Sequence, residues 1–350
     1  MPELPPSSSR RLSHPTIRDV AALAGTSLKT VSRVVNGEPG VSPELGQRVR
    51  LAIERLDYRR NLAASNLRRS GGRTRSIGLL LSNVINPLDG AIQRAIEEAA
   101  LVRDVIVIAS SIDEDADRER EIVGIFTARR VDGLIIKAAG HDQSYLVDQR
   151  RMSMAVVFVD RPPAFLDADT VVVDNETGTR RGIAHLIAHG HRRIGYLGAL
   201  HTIVTAEQRV AGYRAALGAA HIEVDESLIR MDTQNSEHAH AIALELLQSA
   251  DPPTAFFAAQ NMITIGVVHA LRELEMHRSV AVVGFDDVPL FDLLEPAVTV
   301  LAQDAWAIGR QAATALFDRL DGSSAPTRTH VIPVSLIQRG SGEIRGPYSG

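Results

Sequence analysis

The sequence predicts an α/β protein with an N-terminal three-helix helix-turn-helix head and two doubly wound parallel-sheet lobes behind it. Three observations lead there. Residues 16–36, TIRDVAALAGTSLKTVSRVVN, hold two short helical patterns around a tight turn. From residue 76 onward, Val-, Ile- and Leu-rich runs alternate with amphipathic helical stretches. Charge is also divided along the chain: residues 1–75 hold 14 Lys and Arg against 6 Asp and Glu, a net of +8. The whole chain is −4, so residues 76–350 carry −12.

Residues 1–15, MPELPPSSSRRLSHP, are polar and rich in Pro and Ser, and predict a disordered tail. In the head, spanning 16–60, Thr16 caps the first helix with Asp19 three positions on. Ile17, Val20, Ala21 and Ala24 form an apolar stripe at helical spacing. Gly25 ends that helix and Ser27 caps the next. Val31, Val34 and Val35 turn inward and leave Lys29, Thr30, Ser32 and Arg33 free, as on a helix that lies in the major groove of DNA. Ser42-Pro43-Glu44 supplies a cap, a proline at the first helical position and an acid in the first turn. It opens a third helix with Leu45, Val49, Ile53 and Leu56 on one face. Any small helical bundle shows such spacing; the positive charge favours DNA. Residues 61–75 then predict a helical turn or two before Gly71-Gly72, too short to be stable alone in water.

In the body the expected strands are Ile77–Leu81, Val105–Ala109, Gly133–Ile136, Val156–Val159, Val171–Val173, Ile194–Leu197, Ala255–Ala258 and Val280–Phe285. Between them lie helical stretches such as Ala91–Leu101, Thr177–His189 and Ile263–Leu274. This repeat means parallel sheets covered on both faces. It runs for about 265 residues, too long for one sheet, so two lobes are expected. Ligands of such folds sit beyond the carboxyl ends of the strands, here in the cleft between lobes.

A hydrophobic content of 45% in 350 residues is enough for more than one core. With no cysteine, disulfides and thiolate metal sites are excluded. No secretion signal is recognisable, and no apolar run nears the roughly 20 residues of a membrane span, so a cytoplasmic protein without membrane contact is expected. His185, His189 and His191 include a pair four apart, but no carboxylate or cysteine stands beside them in the sequence. Structural roles are therefore expected, with no metal and no cofactor. The acidic run DEDADRERE (113–121) alternates in charge like a solvated helix start. Neither a glycine-rich phosphate loop nor a nucleophile elbow is present, which argues against an enzyme.

DVAALAGTSLKTVSRVVNG (19–37) is the strongest of several motifs that carry a family resemblance. Asn86-Pro87, VDGLII (131–136), VDRP (159–162), AHLIAHGHRRIGYLG (184–198), QRVAGYRAAL (208–217), VVGFDD (282–287) and VSLIQRGS (334–341) accompany it. On these the chain, from Thr16 to about Gly340, resembles the lactose-repressor/galactose-repressor (LacI/GalR) family of bacterial transcription regulators. The resemblance implies a repressor with a body like periplasmic sugar-binding proteins. A sugar or related polyol would act as effector between the lobes, and a homodimer would bind a near-palindromic double-stranded operator. Leu28, Lys29 and Arg33 match base-reading positions, and Thr16, Ser27, Thr30, Ser32 and Asn36 match phosphate-gripping ones. Ala64 and Leu67 match the hinge residues that enter the minor groove. The usual hinge proline before Asn61 is Arg60 here, which gives up conformational restriction in the unbound state.

In the body, the resemblance places Asp160, Arg209 and Asp286, with Arg161 and Gln260, around the effector. Taken singly, Asp160, Arg209 and Asp286 each leave open the lesser alternative of an ordinary ion pair, and Arg161 a structural role. Leu88 and Asp89 replace aromatics common after Asn86-Pro87, and Gln260-Asn261 replaces a common Asn-Asp, so an unusual effector is expected. The implied lobes are 76–171 plus 302–328 and 172–301 plus 329–341, with crossings near 171–175, 299–303 and 325–331. No leucine heptad follows the last apolar segment, so a dimer is expected without a tetramerising coiled coil. A solute-binding module and an enzyme bearing a DNA-binding head are the two alternatives.

Overall fold

The computed structural model describes residues 15–58, 73–147 and 154–349. The chain divides into two compact units, 1–73 and 74–350. The hinge positions Arg60, Ala64 and Leu67 and the tail through residue 14 lie outside the described residues.

The head consists of α1 (Ile17–Ala24), α2 (Leu28–Val35) and α3 (Pro43–Leu56). The N–H and Oγ1 of Thr16 each lie 2.7 Å from Asp19 Oδ2, closing the start of α1. Gly25 ends it at φ 61°, left-handed backbone that strains any side chain. Ser27 Oγ accepts from the N–H of Thr30 at 3.1 Å and Ser42 Oγ from that of Leu45 at 3.4 Å, so α2 and α3 are capped as well. Val20, Val31 and Val49, one from each helix, are fully buried and form the core with Ala21, Ala24 and Ala52. Arg48 donates to Ala24 O at 2.9 Å, covering the open carbonyl end of α1.

In the body, the first strands are β1 (Ser76–Leu81), β2 (Ile106–Ser111), β3 (Gly133–Ile136), β4 (Ala155–Val159) and β5 (Asp169–Val173). They are followed by β6 (Ile194–Leu197), β7 (Ile229–Arg230), β8 (Ala255–Ala258), β9 (Ala281–Phe285), β10 (Thr299–Ala302), β11 (Thr329–Ile332) and β12 (Ser335–Ile337). The helices are α4 (Pro87–Leu101), α5 (Ala116–Ala128), α6 (Asn175–Ala188), α7 (Val204–Ala219), α8 (Ser236–Leu247), α9 (Asn261–Glu273) and α10 (Ala305–Leu320). One sheet runs β11-β5-β4-β3-β1-β2 and the other β12-β10-β9-β8-β6-β7. Among the described residues, all pairings are parallel except β10 with β12. Central strands such as β3 and β9 are buried along their whole length, as sheets clad on both faces require. Helices close on one another where side chains vanish: a Cβ on Gly309 of α10 would lie 2.6 Å from the Cβ of Ala95 on α4.

The chain passes between sheets three times, after β5, after β10 and between β11 and β12. The last crossing differs from the expectation. Residues 329–332 belong to the first sheet, where β11 pairs with β5, and not to the second lobe. The segment VIPVSLIQ is therefore two strands in two sheets. Pro333, which cannot donate to a ladder, stands where the chain leaves the first. No helix among the described residues is long and apolar enough to cross a membrane.

Candidate DNA-reading face and interlobe cavity

On the head, Leu28 is 44% exposed at the start of α2, Lys29 beside it is exposed and Arg33 is half-buried. Several hydroxyls of the candidate phosphate set are oriented by local bonds. Ser27 Oγ and Thr30 Oγ1 share a hydrogen bond of 2.9 Å, and Asn36 Nδ2 donates to Ser32 Oγ at 3.2 Å and to Glu38 Oε1 at 3.0 Å. With Thr16 already bonded to Asp19, these groups sit on α2 and at the caps of α1 and α2, on a surface held by the buried valines. Such a face offers short polar groups and a guanidinium at fixed spacing, which suits phosphates and base edges.

In the body, a cavity of about 290 Å³ lies between the lobes. Asp160, Arg161, Arg209, Gln260 and Asp286 all line it. The parallel strands bring them there: Asp160 and Arg161 follow β4, Gln260 lies just past β8 and Asp286 follows β9, all at carboxyl ends. Arg209 reaches in from α7.

The first-lobe wall is a paired charge cluster. Lys137 Nζ lies 3.1 Å from Asp89 Oδ1 and 3.4 Å from Asp160 Oδ2. Arg161 donates from Nη2 to Glu114 Oε1 at 2.8 Å and from Nη1 to Ala138 O at 2.7 Å, with Nε 3.3 Å from Asp160 Oδ2. Burial pushes the Asp160 carboxyl up, but Lys137, Arg161 and Arg209 outweigh it and hold it below the ordinary carboxylate value. Burial likewise opposes the charge on Lys137, yet Asp160 and Asp89 hold its ammonium well above the ordinary value.

The second-lobe wall is more sparsely paired. Arg209 donates from Nε to Asn175 Oδ1 at 2.8 Å and from Nη1 to Ala259 O at 2.6 Å, and its guanidinium sits 3.7 Å from the centre of the Phe285 ring. Gln303 Nε2 donates to Asp286 Oδ1 at 2.6 Å. Burial raises the Asp286 carboxyl, and the nearby Arg209 and the Gln303 bond do not offset it. Thr233 Oγ1 and Gln303 Oε1 are buried here without a hydrogen-bond partner among the described residues. Such a wall, with cation, carboxyl and unused hydroxyl and amide groups, suits a ligand that both donates and accepts.

The sequence reading missed Lys137, Glu114, Asn175 and Gln303. Lys137 and Gln303 directly follow β3 and β10, and a carboxyl strand end was signal enough. Glu114 was concealed in the acidic run, which is only partly solvated: Glu114 binds Arg161, and Glu119 is buried against Tyr145 and the N–H of Ala139. Asp89 is no substitute platform for a sugar ring, because it is fully buried on Lys137 and the N–H of Asn83; Leu88 lines the cavity instead. Across the cleft, Asn261 Nδ2 donates to Asn86 Oδ1 at 2.8 Å. The histidines also depart from expectation. A carboxylate does reach His185 and His189, from Glu343 near the chain end, while His191 is bonded to Thr254 Oγ1 and Ile344 O.

Residues 16–61 match bacterial regulatory proteins of the lacI family, and residues 183–342 match the periplasmic binding protein-like domain. The chain is 32% identical over 337 residues to the HTH-type transcriptional regulator PtxS of Pseudomonas plecoglossicida, covering 94% of this chain and 96% of the relative. It is 29% identical to the regulator GalR of Salmonella typhimurium, over 93% and 95% of the two chains. Among solved structures it superposes on the lac repressor dimer bound to operator and an anti-inducer with a TM-score of 0.82, at 26% identity and 94% and 99% coverage. It is also similar to the regulator CelR in complex with cellobiose, at TM-score 0.69, 29% identity and 93% and 99% coverage.

Proposed function

The chain belongs to the LacI family of bacterial regulatory proteins, DNA-binding regulators of transcription, and from that premise we propose a repressor whose operator affinity is set by a sugar or related polyol held between its lobes. The observation that carries this reading is the cavity itself: buried Asp160, Arg209 and Asp286 converge from both lobes in a chain that also carries the basic helix-turn-helix head. Carboxylates accept pairs of hydroxyl hydrogen bonds and a guanidinium donates in a plane, the groups a polyol needs. Arg209 Nη2 has no hydrogen-bond partner among the described residues. The complex of one structural relative, CelR, with the sugar cellobiose is in keeping with this chemistry.

In this reading Leu28, Lys29 and Arg33 read base edges, while Thr16, Ser27, Thr30, Ser32 and Asn36 grip phosphate. Ala64 and Leu67 enter the minor groove of a near-palindromic operator bound by a cytoplasmic homodimer. The body is a sensor, not a catalyst. Coupling runs through lobe closure, because a ligand touching both walls binds the closed body better and so shifts its population. The test is selection of bound fragments from random DNA at a stated salt concentration, followed by titration of the selected site with sugars and polyols. A near-palindrome released or retained by one of them supports the reading. Salt-sensitive, sequence-blind binding unaffected by any of them counts against it, as does turnover of the bound compound.

A further inference from the structure

His185 and His189 stand one turn apart at the carboxyl end of α6, with ring centres 4.4 Å apart. The chain returns to this point near its end. Glu343 Oε1 lies 3.4 Å from His185 Nε2 and its Oε2 lies 3.0 Å from His189 Nε2. Among the described residues this is the one group of three His, Asp or Glu side chains whose donor atoms all lie within 4.8 Å of one another.

The protein's own hydrogens do not satisfy the cluster. A carbonyl oxygen only accepts, so the 2.8 Å contact of His189 Nδ1 with His185 O puts a proton on Nδ1. Nε2 of a neutral His189 then turns a lone pair toward a carboxylate, which also only accepts. Something positive belongs between them, either a second proton or a metal ion. His185 favours the metal. Its side chain is 6% exposed and its Nε2 has no hydrogen-bond partner among the described residues. A proton on His189 would leave His185 Nε2 orphaned; a metal uses both nitrogens.

We propose that His185, His189 and Glu343 bind a divalent transition metal of the zinc class, through two Nε2 atoms and the carboxylate, with the remaining position open to solvent beside half-exposed Glu343. Each imidazole nitrogen faces its own oxygen of the Glu343 carboxylate, at 3.4 and 3.0 Å, so one ion between them can be reached by all three side chains. The bond from His189 Nδ1 to a backbone carbonyl is the outer-shell contact that orients a ligating imidazole. Two imidazoles disfavour calcium and magnesium, which prefer all-oxygen shells. The metal would clamp the C-terminal segment to the end of α6, where the N–H of Gly346 already donates to His189 O at 2.8 Å and Arg192 covers the Tyr348 ring.

The experiment uses full-length protein without an affinity tag, stripped with a chelator. Zn²⁺ is titrated in competition with a chromophoric chelator, and Co²⁺ is added as a spectroscopic probe. One tight zinc per chain and an intense tetrahedral Co²⁺ band are expected. Glu343→Gln and His189→Gln, both at partly exposed positions, should each weaken zinc at least about ten-fold, since outer-shell partners alone are worth about 10–100-fold. Zinc should also raise the melting temperature of the wild type more than that of either variant. Equal affinity or an equal thermal shift in wild type and variants, or a weak octahedral Co²⁺ spectrum, overturns the proposal.

Discussion

Asp160 and Asp286 occupy equivalent corners of the two lobes. Each follows the third strand of its sheet order, β4 in one and β9 in the other, and each takes left-handed backbone, at φ 68° and 72°. Each donates its N–H to the neighbouring strand, Asp160 to Val171 O at 2.8 Å and Asp286 to Leu301 O at 2.9 Å. The same turn thus delivers one carboxyl from each side of the cavity. Their surroundings then drive them apart, Asp160 toward the ionised form by Lys137 and Arg161, Asp286 toward the neutral form by burial.

The pair therefore predicts opposite pH dependences of stability. The folded pKa of Asp160 is depressed, so its contribution is present above its unfolded value near 3.8 and is lost as pH falls through the folded one. The folded pKa of Asp286 is raised, so its contribution is full below that value and is lost as pH rises through the folded one. At pH 7, Asp160→Asn should cost about 1.5–3 kcal/mol, because Lys137 and Arg161 each lose one carboxylate while keeping Asp89 and Glu114. Asp286→Asn keeps the acceptor for Gln303 and should leave stability unchanged or higher. Urea unfolding at pH 7 and at a pH below 3.8 checks both; an equal loss in the two variants at pH 7 would refute the assignment.

Arg209 joins α7, the start of α6 and the end of β8 to the cavity wall. Arg209→Ala should keep the head intact, with operator affinity within about two-fold, yet abolish the response to effector. Gel shift with and without the selected sugar or polyol measures this. A normal response would move the effector elsewhere.

Asn261 bridges the cleft to Asn86, whose Oδ1 also caps α4 through the N–H of Leu88 at 3.1 Å. Asn261→Ala removes the bridge without leaving Asn86 Oδ1 unpartnered. One such hydrogen bond is worth about 0.5–1.5 kcal/mol, so effector affinity should fall about 2- to 12-fold through a less favourable closed state. Calorimetric titration reads this directly, and an unchanged or tighter Kd excludes the bridge as a closure contact.

On the head, Arg33→Ala should cost about 1–3 kcal/mol on the selected operator and relax preference at one base pair per half-site. Leu67→Ala should weaken specific binding far more than non-specific binding, since a wedge acts only at the operator centre. Competition assays with operator and random duplex separate the two. Parallel losses on both DNAs in either variant contradict its assigned role.

By itself the sequence determined the parts whose signals are local. Thr16, Ser27 and Ser42 announce helix starts because a cap bonds within its own first turn. The short apolar runs announce β1, β3, β4, β8 and β9 because strands buried on both faces need apolar residues throughout. Asp160, Arg209 and Asp286 were reached through the family resemblance, on the motifs VDRP, QRVAGYRAAL and VVGFDD. What tertiary structure decided was pairing over long separations. The partner of β11 is β5, more than 150 residues earlier, and nothing in THVI specifies which sheet it joins. The charge state of Asp160 depends on Lys137, and Glu114 leaves a solvated-looking acidic run only because Arg161 folds over it. Glu343 meets His185 and His189 by the same route, the return of the chain end to α6. Periodicity and capping act over a turn or a strand, whereas electrostatic partners are set by which strand ends the packed sheets bring to one place.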